Sequence, residues 1–220
     1  MNNYNVTYSE KHNGFIVQGD FAENSIPIDI PSDNINKNKF IYLFLNKADI
    51  EKGIDYLRCI SIDKSRLENE ALFIAGLNNC VKCFQKNESR GHLNSSTVFK
   101  TNKELGKCFN RFLNLRNKHF VHDDNGMLQA TAFLLVLSEG ENVWGGHPSV
   151  IWNEIELDYY REGLILQDVM SYVHTYICQE IDRIGDLILS EYSGYTREEL
   201  LRFPTARIKR ASTETPECKR

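Results

Sequence analysis

Residues 111–124 read RFLNLRNKHFVHDD, and the spacing of the apolar residues in and before this stretch predicts a helix from about residue 102 to residue 121. On a helix that turns 100° per residue, four apolar side chains fall within about 60° of Arg116. These are Phe109, Phe112, Leu113 and Phe120. Arg116 therefore lies in the middle of the apolar face. An arginine there needs a carboxylate, carbonyl groups, a bound phosphate or an interface cleft, because burying an unpaired charge is too costly.

Apolar residues recur at three- and four-residue spacing in three further segments, and each segment predicts a helix. The segments cover residues 39–60, 65–85 and 163–192. Ser65 followed by Glu68, and Thr101 followed by Glu104, are candidate capping boxes for the second and third helices. We therefore predict a mainly α protein, an antiparallel bundle of four main helices.

Other segments indicate extended structure. Residues 1–21 place apolar side chains among glycines and polar residues, which predicts a short strand or hairpin. Pro27 and Pro31 make a helix unlikely in residues 22–38, so this segment is predicted to be a loop. Residues 128–137 and 150–159 predict two strands joined by a glycine-rich turn, a β-hairpin inserted between the third and fourth helices.

These patterns predict three parts of the chain. An extended N-terminal segment covers residues 1–38, and a helical domain covers 39–203, with its hairpin at about 128–160. Residues 204–220 are polar and basic with two prolines, which predicts a disordered tail. The tail cations Arg207, Lys209 and Arg210 could contact RNA, although charge runs are usually solvated.

Composition limits the classes of function. The chain has 220 residues, of which 41% are hydrophobic, and a net charge of −4, which argues against broad binding to polyanions. Any nucleic-acid site must then be a local positive patch. The N-terminus lacks an export-signal pattern and the apolar runs are too short to span a bilayer. We expect a cytoplasmic protein with no membrane partner and with its six cysteines reduced.

The segment that begins at Arg116 also carries groups suited to chemistry. His119 and His122 follow at three-residue steps, and Asp123 returns almost above Arg116 if the helix continues that far. An imidazole accepts or donates a proton near neutral pH. A guanidinium offers a planar fork that matches phosphate oxygens. Together they suffice for metal-independent RNA cleavage, in which one group deprotonates the ribose 2′-hydroxyl and the cation stabilises the phosphorane.

Residues 116–122, RNKHFVH, resemble the signature of the HEPN family. That signature is an arginine, usually followed by a polar residue, with a histidine four to six residues further along; here five residues separate Arg116 from His122. The predicted helical architecture resembles the family over roughly residues 40–192, but only the seven residues of the motif resemble it specifically. It implies a helical bundle that forms a homodimer, with two motifs facing one cleft. It also implies a metal-independent endoribonuclease of a phage-defence or toxin system that leaves a 2′,3′-cyclic phosphate.

The same resemblance implies roles for particular residues. Arg116 would orient and stabilise the scissile phosphate, His122 would act as acid and base, and Asn117 would position the substrate by hydrogen bonds. Apart from the resemblance, His119 could be a second catalytic group, although a supporting or structural role is the favoured interpretation, and Asp123 would support the site. The implied partners are RNA and an antitoxin or another defence protein, and no cofactor or metal is expected.

Other interpretations of these residues stay open. Arg116 could form a structural salt bridge with Glu70 on the second helix, and this is compatible with a supporting role of Glu70 in the site, because a carboxylate could also hold the guanidinium in place. His122 could be a histidine favoured by the helix dipole at a C-terminus. The chain would then be a non-catalytic HEPN-like module that binds a partner or nucleotide, or an interaction protein whose motif is only a buried ion pair.

Two further features have a functional and an ordinary interpretation. Cys80 and Cys83 share a helix face and could be half of a zinc site, but no second half is visible, so small core residues are the simpler interpretation. Trp144 and His147, in the glycine-rich segment, could stack on a base, although an ordinary loop is the better interpretation.

Overall fold

The computed structural model describes residues 4–9, 14–19, 28–86, 91–121, 128–139, 142–154, 157–204 and 206. Its elements in chain order are β1 (Tyr4–Ser9), β2 (Gly14–Gly19), α1 (Lys37–Arg58), α2 (Arg66–Lys82), α3 (Ser95–Val98), α4 (Lys103–Leu115), a π-helical segment (Arg116–Val121), β3 (Leu128–Glu139), β4 (Asn142–Glu154), α5 (Tyr159–Tyr192) and α6 (Arg197–Leu200). The predicted mainly α fold is confirmed. None of the described helices is both long enough and apolar enough to cross a membrane.

The strands form two antiparallel pairs, β1 with β2 and β3 with β4. The β3–β4 register runs from Leu128 opposite Glu154 to Glu139 opposite Asn142. Two predicted boundaries are wrong. β4 begins at Asn142, so most of the segment predicted as a turn lies in a strand, and α5 begins at Tyr159, inside the predicted second strand.

The chain divides into two compact units. The first contains Met1–Leu45, Lys86–Gly91 and Ile177–Arg220, and the second contains Asn46–Gln85 and His92–Tyr176. Helices α1 and α5 contribute residues to both units. The residues of the candidate site that the structure describes belong to the second unit.

Four helices of the second unit pack as an antiparallel bundle, because the contacts run in opposite directions along each neighbouring pair. For α1 and α2 they are Asp49 with Lys82 and Leu57 with Gly76. For α1 and α5 they are Glu51 with His174 and Ile60, two residues after α1, with Gly163. For α2 and α4 they are Phe84, two residues after α2, with Phe109, and Phe73 with Phe112. For α4 and α5 they are Thr101, two residues before α4, with Tyr172, and Arg111 with Glu162.

The centre of this bundle is aromatic. Phe73 on α2 is completely buried, and its ring lies 6.1 Å from Phe112, 6.3 Å from Phe120 and 5.7 Å from Tyr159, centroid to centroid. Rings at these separations pack edge-on or tilted, which adds to the stability that burial alone provides. One side chain therefore joins α2 to α4, to the π-helical segment and to α5.

The helix starts show which predicted caps form. Ser65 and Glu68 make the predicted capping box: the Glu68 amide donates to Ser65 Oγ at 3.3 Å, and the Ser65 amide donates to Glu68 Oε2 at 2.9 Å. The predicted Thr101–Glu104 box is wrong. Asn102 caps α4 instead, since its Oδ1 accepts from the Leu105 amide at 3.2 Å, while the Thr101 hydroxyl shares a hydrogen bond with Tyr172.

In the first unit, Glu180 on α5 forms ion pairs with two cations. Arg183 Nε donates to its Oε1 at 2.9 Å, and Lys39 Nζ lies 3.0 Å from its Oε2. The hydrogen bond from Arg183, followed by the hydrogen bond and charge of Lys39, lowers the pKa of Glu180 to about 2. Both partners favour the ionised carboxylate in the folded protein.

We expect Glu180→Gln to destabilise the protein by about 1 kcal/mol at pH 7, because solvent-screened ion pairs contribute about 0.2–1 kcal/mol each. A lowered folded-state pKa gives stability that is present above pH 4.5, the ordinary value, and is lost as the pH falls towards 2. Urea unfolding at pH 7, 4 and 3 should show the difference from wild type shrinking. Asp186→Asn, at an exposed position of the same helix, is the control. A difference that stays constant with pH would contradict the assignment.

Candidate functional site

The helix that carries the motif changes its winding at the motif itself. α4 is regular up to Leu115, and residues Arg116–Val121 continue it as a π-helix. Such segments are rare, and they occur frequently at functional sites because the wider turn displaces backbone and side chains from regular positions. Buried Leu115 precedes the segment, and Phe120 within it packs on Phe73. The segment is therefore attached to the core at both ends.

Arg116, the first residue of the π-helical segment, is partly buried and held by two amide oxygens. Its Nε donates to Asn78 Oδ1 on α2 at 3.3 Å, and its Nη1 donates to Asn117 Oδ1 at 2.9 Å. Both acceptors are neutral, so they orient the guanidinium without cancelling its charge. Within the described ranges, no carboxylate forms an ion pair with Arg116. A cation held in this way is suited to an external anion.

Glu70, the acid predicted to pair with Arg116, lies on α2 eight residues before Asn78. No hydrogen bond or ion pair joins Glu70 to Arg116 among the residues that the structure describes. Asn78 takes the place that the sequence assigned to Glu70. Arg116 is therefore bonded to a neutral amide and not to a carboxylate that would cancel its charge. Among the described residues, no carboxylate is placed to form the alternative salt bridge.

The remaining predicted site residues are placed less fully. His119 lies within the π-helical segment, while His122 and Asp123 lie outside the described residues. The described part of the site therefore consists of Arg116, Asn117 and Asn78. The roles of His119, His122 and Asp123 stay predictions.

Sequence reasoning missed Asn78, because it looked for an acid opposite Arg116. A signal was present: Asn78 and Asn79 stand together inside α2, where asparagine is a weak helix former. Asn79 uses its side-chain amide to donate to the Ala75 carbonyl at 2.9 Å. Asn78 instead offers its oxygen to Arg116. An asparagine pair in a helix is thus worth testing as a source of neutral acceptors.

A groove runs along another face of α4. It has a volume of about 500 Å³ and is lined by Lys107, Asn110, Arg111, Asn114, Leu115, Lys118 and Leu157. Two of its cations are tied to acids. Lys107 Nζ lies 2.8 Å from Glu104, and Arg111 donates two hydrogen bonds to Glu162, at 3.1 and 2.5 Å. The hydrogen bonds raise the pKa of Lys107 and that of Arg111.

The cysteine pair of α2 belongs to the core. Cys80 and Cys83 are completely buried, and burial raises the pKa of the Cys80 thiol far above its ordinary value. The Cys83 thiol donates to the carbonyls of Asn79 and Asn46. Metal ions bind the thiolate, which this environment disfavours. Over the described ranges, no group of three or more His, Cys, Asp or Glu side chains is placed to hold a metal ion.

Comparisons of the chain with models of protein families, with curated proteins and with solved structures found no match. The family resemblance therefore depends on residues 116–122 and on the helical fold that carries them. The geometry around Arg116 is the structural observation from which a function can be argued.

Proposed function

We propose that the chain is a HEPN-type endoribonuclease that cleaves RNA without a metal ion, through Arg116 and His122. One observation carries the proposal. Arg116 begins a π-helical segment, is partly buried, and is oriented by the neutral oxygens of Asn78 and Asn117. Burying a cation costs free energy, and two neutral acceptors offset that cost only in part. A phosphate group in contact with the guanidinium would offset the rest of that free energy.

The proposed reaction is an internal transfer at phosphorus. The ribose 2′-oxygen forms a bond to the adjacent phosphorus as its proton passes to His122, and the bond from phosphorus to the 5′-oxygen breaks as that oxygen takes up a proton. Arg116 stabilises the charge that builds on the non-bridging oxygens. The products are a 2′,3′-cyclic phosphate and a 5′-hydroxyl. No external oxidant, reductant or water is consumed.

The proposed assembly is a homodimer in which two copies of the motif face one cleft. A second imidazole then supplies the complementary acid or base, so one copy removes the 2′-proton while the other protonates the leaving oxygen. The family resemblance supports a setting in phage defence or a toxin system, with an antitoxin or another defence protein as further partner and the cytoplasm as location. The mainly helical fold and the position of the motif at the end of α4 are consistent with this assignment.

The direct test is the chemistry of the products. We expect the purified protein, alone or with its activating partner, to cleave single-stranded RNA in the presence of EDTA, because its acid, base and cation are all side chains. Mass spectrometry of the fragments should show 2′,3′-cyclic phosphate and 5′-hydroxyl ends. Cleavage that EDTA abolishes, or fragments with 3′-hydroxyl ends, would contradict the proposed mechanism.

A second candidate is a non-catalytic module that binds a nucleotide or a partner. It is favoured by the two neutral amide oxygens that hold Arg116, because they leave the charge of the guanidinium available to an anion. That arrangement could hold a phosphate without turning over. A nucleotide that raises the melting temperature while no RNA is cleaved would support this function instead.

A further inference from the structure

The groove on α4 contains a regular alternation of cations and amides. Lys107, Asn110, Arg111, Asn114 and Lys118 follow one another at spacings of three, one, three and four residues. On a helix these spacings place the side chains along one face, and four-residue steps advance by about 6 Å along the axis. Two leucines, Leu115 and Leu157, also line the groove. The result is a long polar stripe with an apolar component.

This face is positive in a chain that is negative overall. Three cations line the groove, Lys107, Arg111 and Lys118, and two acids, Glu104 and Glu162, pair with the first two of them. The groove therefore keeps a small positive excess, whereas the whole chain has a net charge of −4. A local excess of positive charge raises the concentration of anionic ligands close to the helix.

The cations of the stripe differ in what holds them. Arg111 is fixed by its two hydrogen bonds to Glu162, and Lys107 pairs with Glu104 at an exposed position. Lys118 is exposed and forms no ion pair with any described residue. Lys118 also lies within the π-helical segment, two residues after Arg116. One end of the groove therefore lies in the segment that carries Arg116, but at 100° per residue the groove side chains and Arg116 lie on opposite sides of the helix.

We propose that this groove binds the sugar–phosphate backbone of single-stranded RNA, on a face of the helix separate from Arg116. The identity of the anion rests on the proposed function. The amides favour RNA over an acidic protein surface, because Asn110 and Asn114 can both donate to and accept from base edges and 2′-hydroxyls, whereas a carboxylate can only accept from them. Lysine and arginine both bind phosphate, arginine as a fork and lysine as a point charge.

The test is binding of a strand that cannot be cleaved. A fluorescent 12-residue 2′-O-methyl oligouridine lacks the attacking hydroxyl, so its anisotropy reports binding alone. Lys107→Gln with Lys118→Gln should reduce the slope of log Kobs against log salt concentration by about 1.4, since each phosphate contact on a single strand contributes about 0.7. Binding should weaken by about tenfold at low salt, as expected for the loss of two such contacts. Lys118→Glu is the second variant and should weaken binding further.

The matched control removes the same charge elsewhere. Lys52→Gln with Lys64→Gln changes two exposed lysines of the same unit, outside the groove, and should leave the salt slope unchanged. An unchanged slope in the groove variant, equal effects in both double variants, or tighter binding of polyglutamate than of the RNA would overturn the proposal. If wild type cleaves RNA but the groove variants bind the oligonucleotide normally, the groove proposal fails and the nuclease proposal stands. If the groove variants lose binding but wild type cleaves no RNA, the groove proposal stands and the nuclease proposal fails.

Discussion

Arg116→Ala is expected to lower the rate of RNA cleavage by about 10²- to 10³-fold, the usual cost of removing one preorganised electrostatic contact to a transition state. The protein should stay folded. The guanidinium is only partly buried and its described partners are neutral, so the loss of stability should remain below about 3 kcal/mol. The measurements are the initial rate on a labelled RNA and the free energy of unfolding in urea. His122→Ala should lose activity to a similar extent.

Asn78→Asp tests the role of the Arg116 charge more directly, because it leaves Arg116 in place and changes only its hydrogen-bond partner. The new carboxylate would accept from Arg116 Nε as Asn78 does, at about the same 3.3 Å, and would neutralise the cation. We expect the melting temperature to hold or rise while the cleavage rate falls by about 10²-fold. Asn94→Asp is the matched control: it adds the same charge at the exposed N-cap of α3, where aspartate caps as well as asparagine.

Two results would contradict this role of Arg116. Full activity in Asn78→Asp would mean that the charge of Arg116 is not used in the reaction. A loss of 3–5 kcal/mol in Arg116→Ala, the typical cost of breaking a buried ion pair, would instead make the arginine structural, with a carboxylate partner outside the described residues.

Helices could be predicted from the sequence because their signals are local. The three- and four-residue apolar spacing located α1, α2, α4 and α5, and the Ser65–Glu68 pair fixed the start of α2. The start of α4 was misplaced by one residue, since Thr101 and Asn102 are adjacent and both can cap. Their competition is settled by a tertiary contact, the hydrogen bond between Thr101 and Tyr172, which lies 71 residues away.

The site was less accessible to sequence reasoning, because its decisive contacts join distant helices. The motif located Arg116 and Asn117, but the partner on α2 depends on the antiparallel register of α2 and α4, which helical periodicity alone does not give. The π-helical winding was also not predicted, since periodicity at 100° per residue assumes a regular α-helix up to residue 121. For the same reason the position of Arg116 at the centre of the apolar face was an approximation, and its side chain reaches Asn78 at the margin of the core.

The core beneath the site carries the other large expected effect. Phe73→Ala should destabilise the protein by about 3–5 kcal/mol, because the ring is completely buried and its loss leaves a cavity in the core. That is a large share of the stability of an ordinary domain. Urea unfolding followed by circular dichroism measures it. Leu67→Ala on the same helix is the control, since Leu67 is 76% exposed and should change stability by less than about 0.5 kcal/mol.

Phe73 also connects stability to the proposed chemistry. Its ring contacts Phe112 before the π-helical segment and Phe120 within it, so it supports the backbone that carries Arg116 from both sides. We therefore expect the folded fraction of Phe73→Ala to cleave RNA more slowly than wild type, even at low temperature where most molecules are folded. A loss below about 1 kcal/mol would show that Phe73 is not the centre of this core. Normal activity in a strongly destabilised variant would show that the segment keeps its geometry without that support.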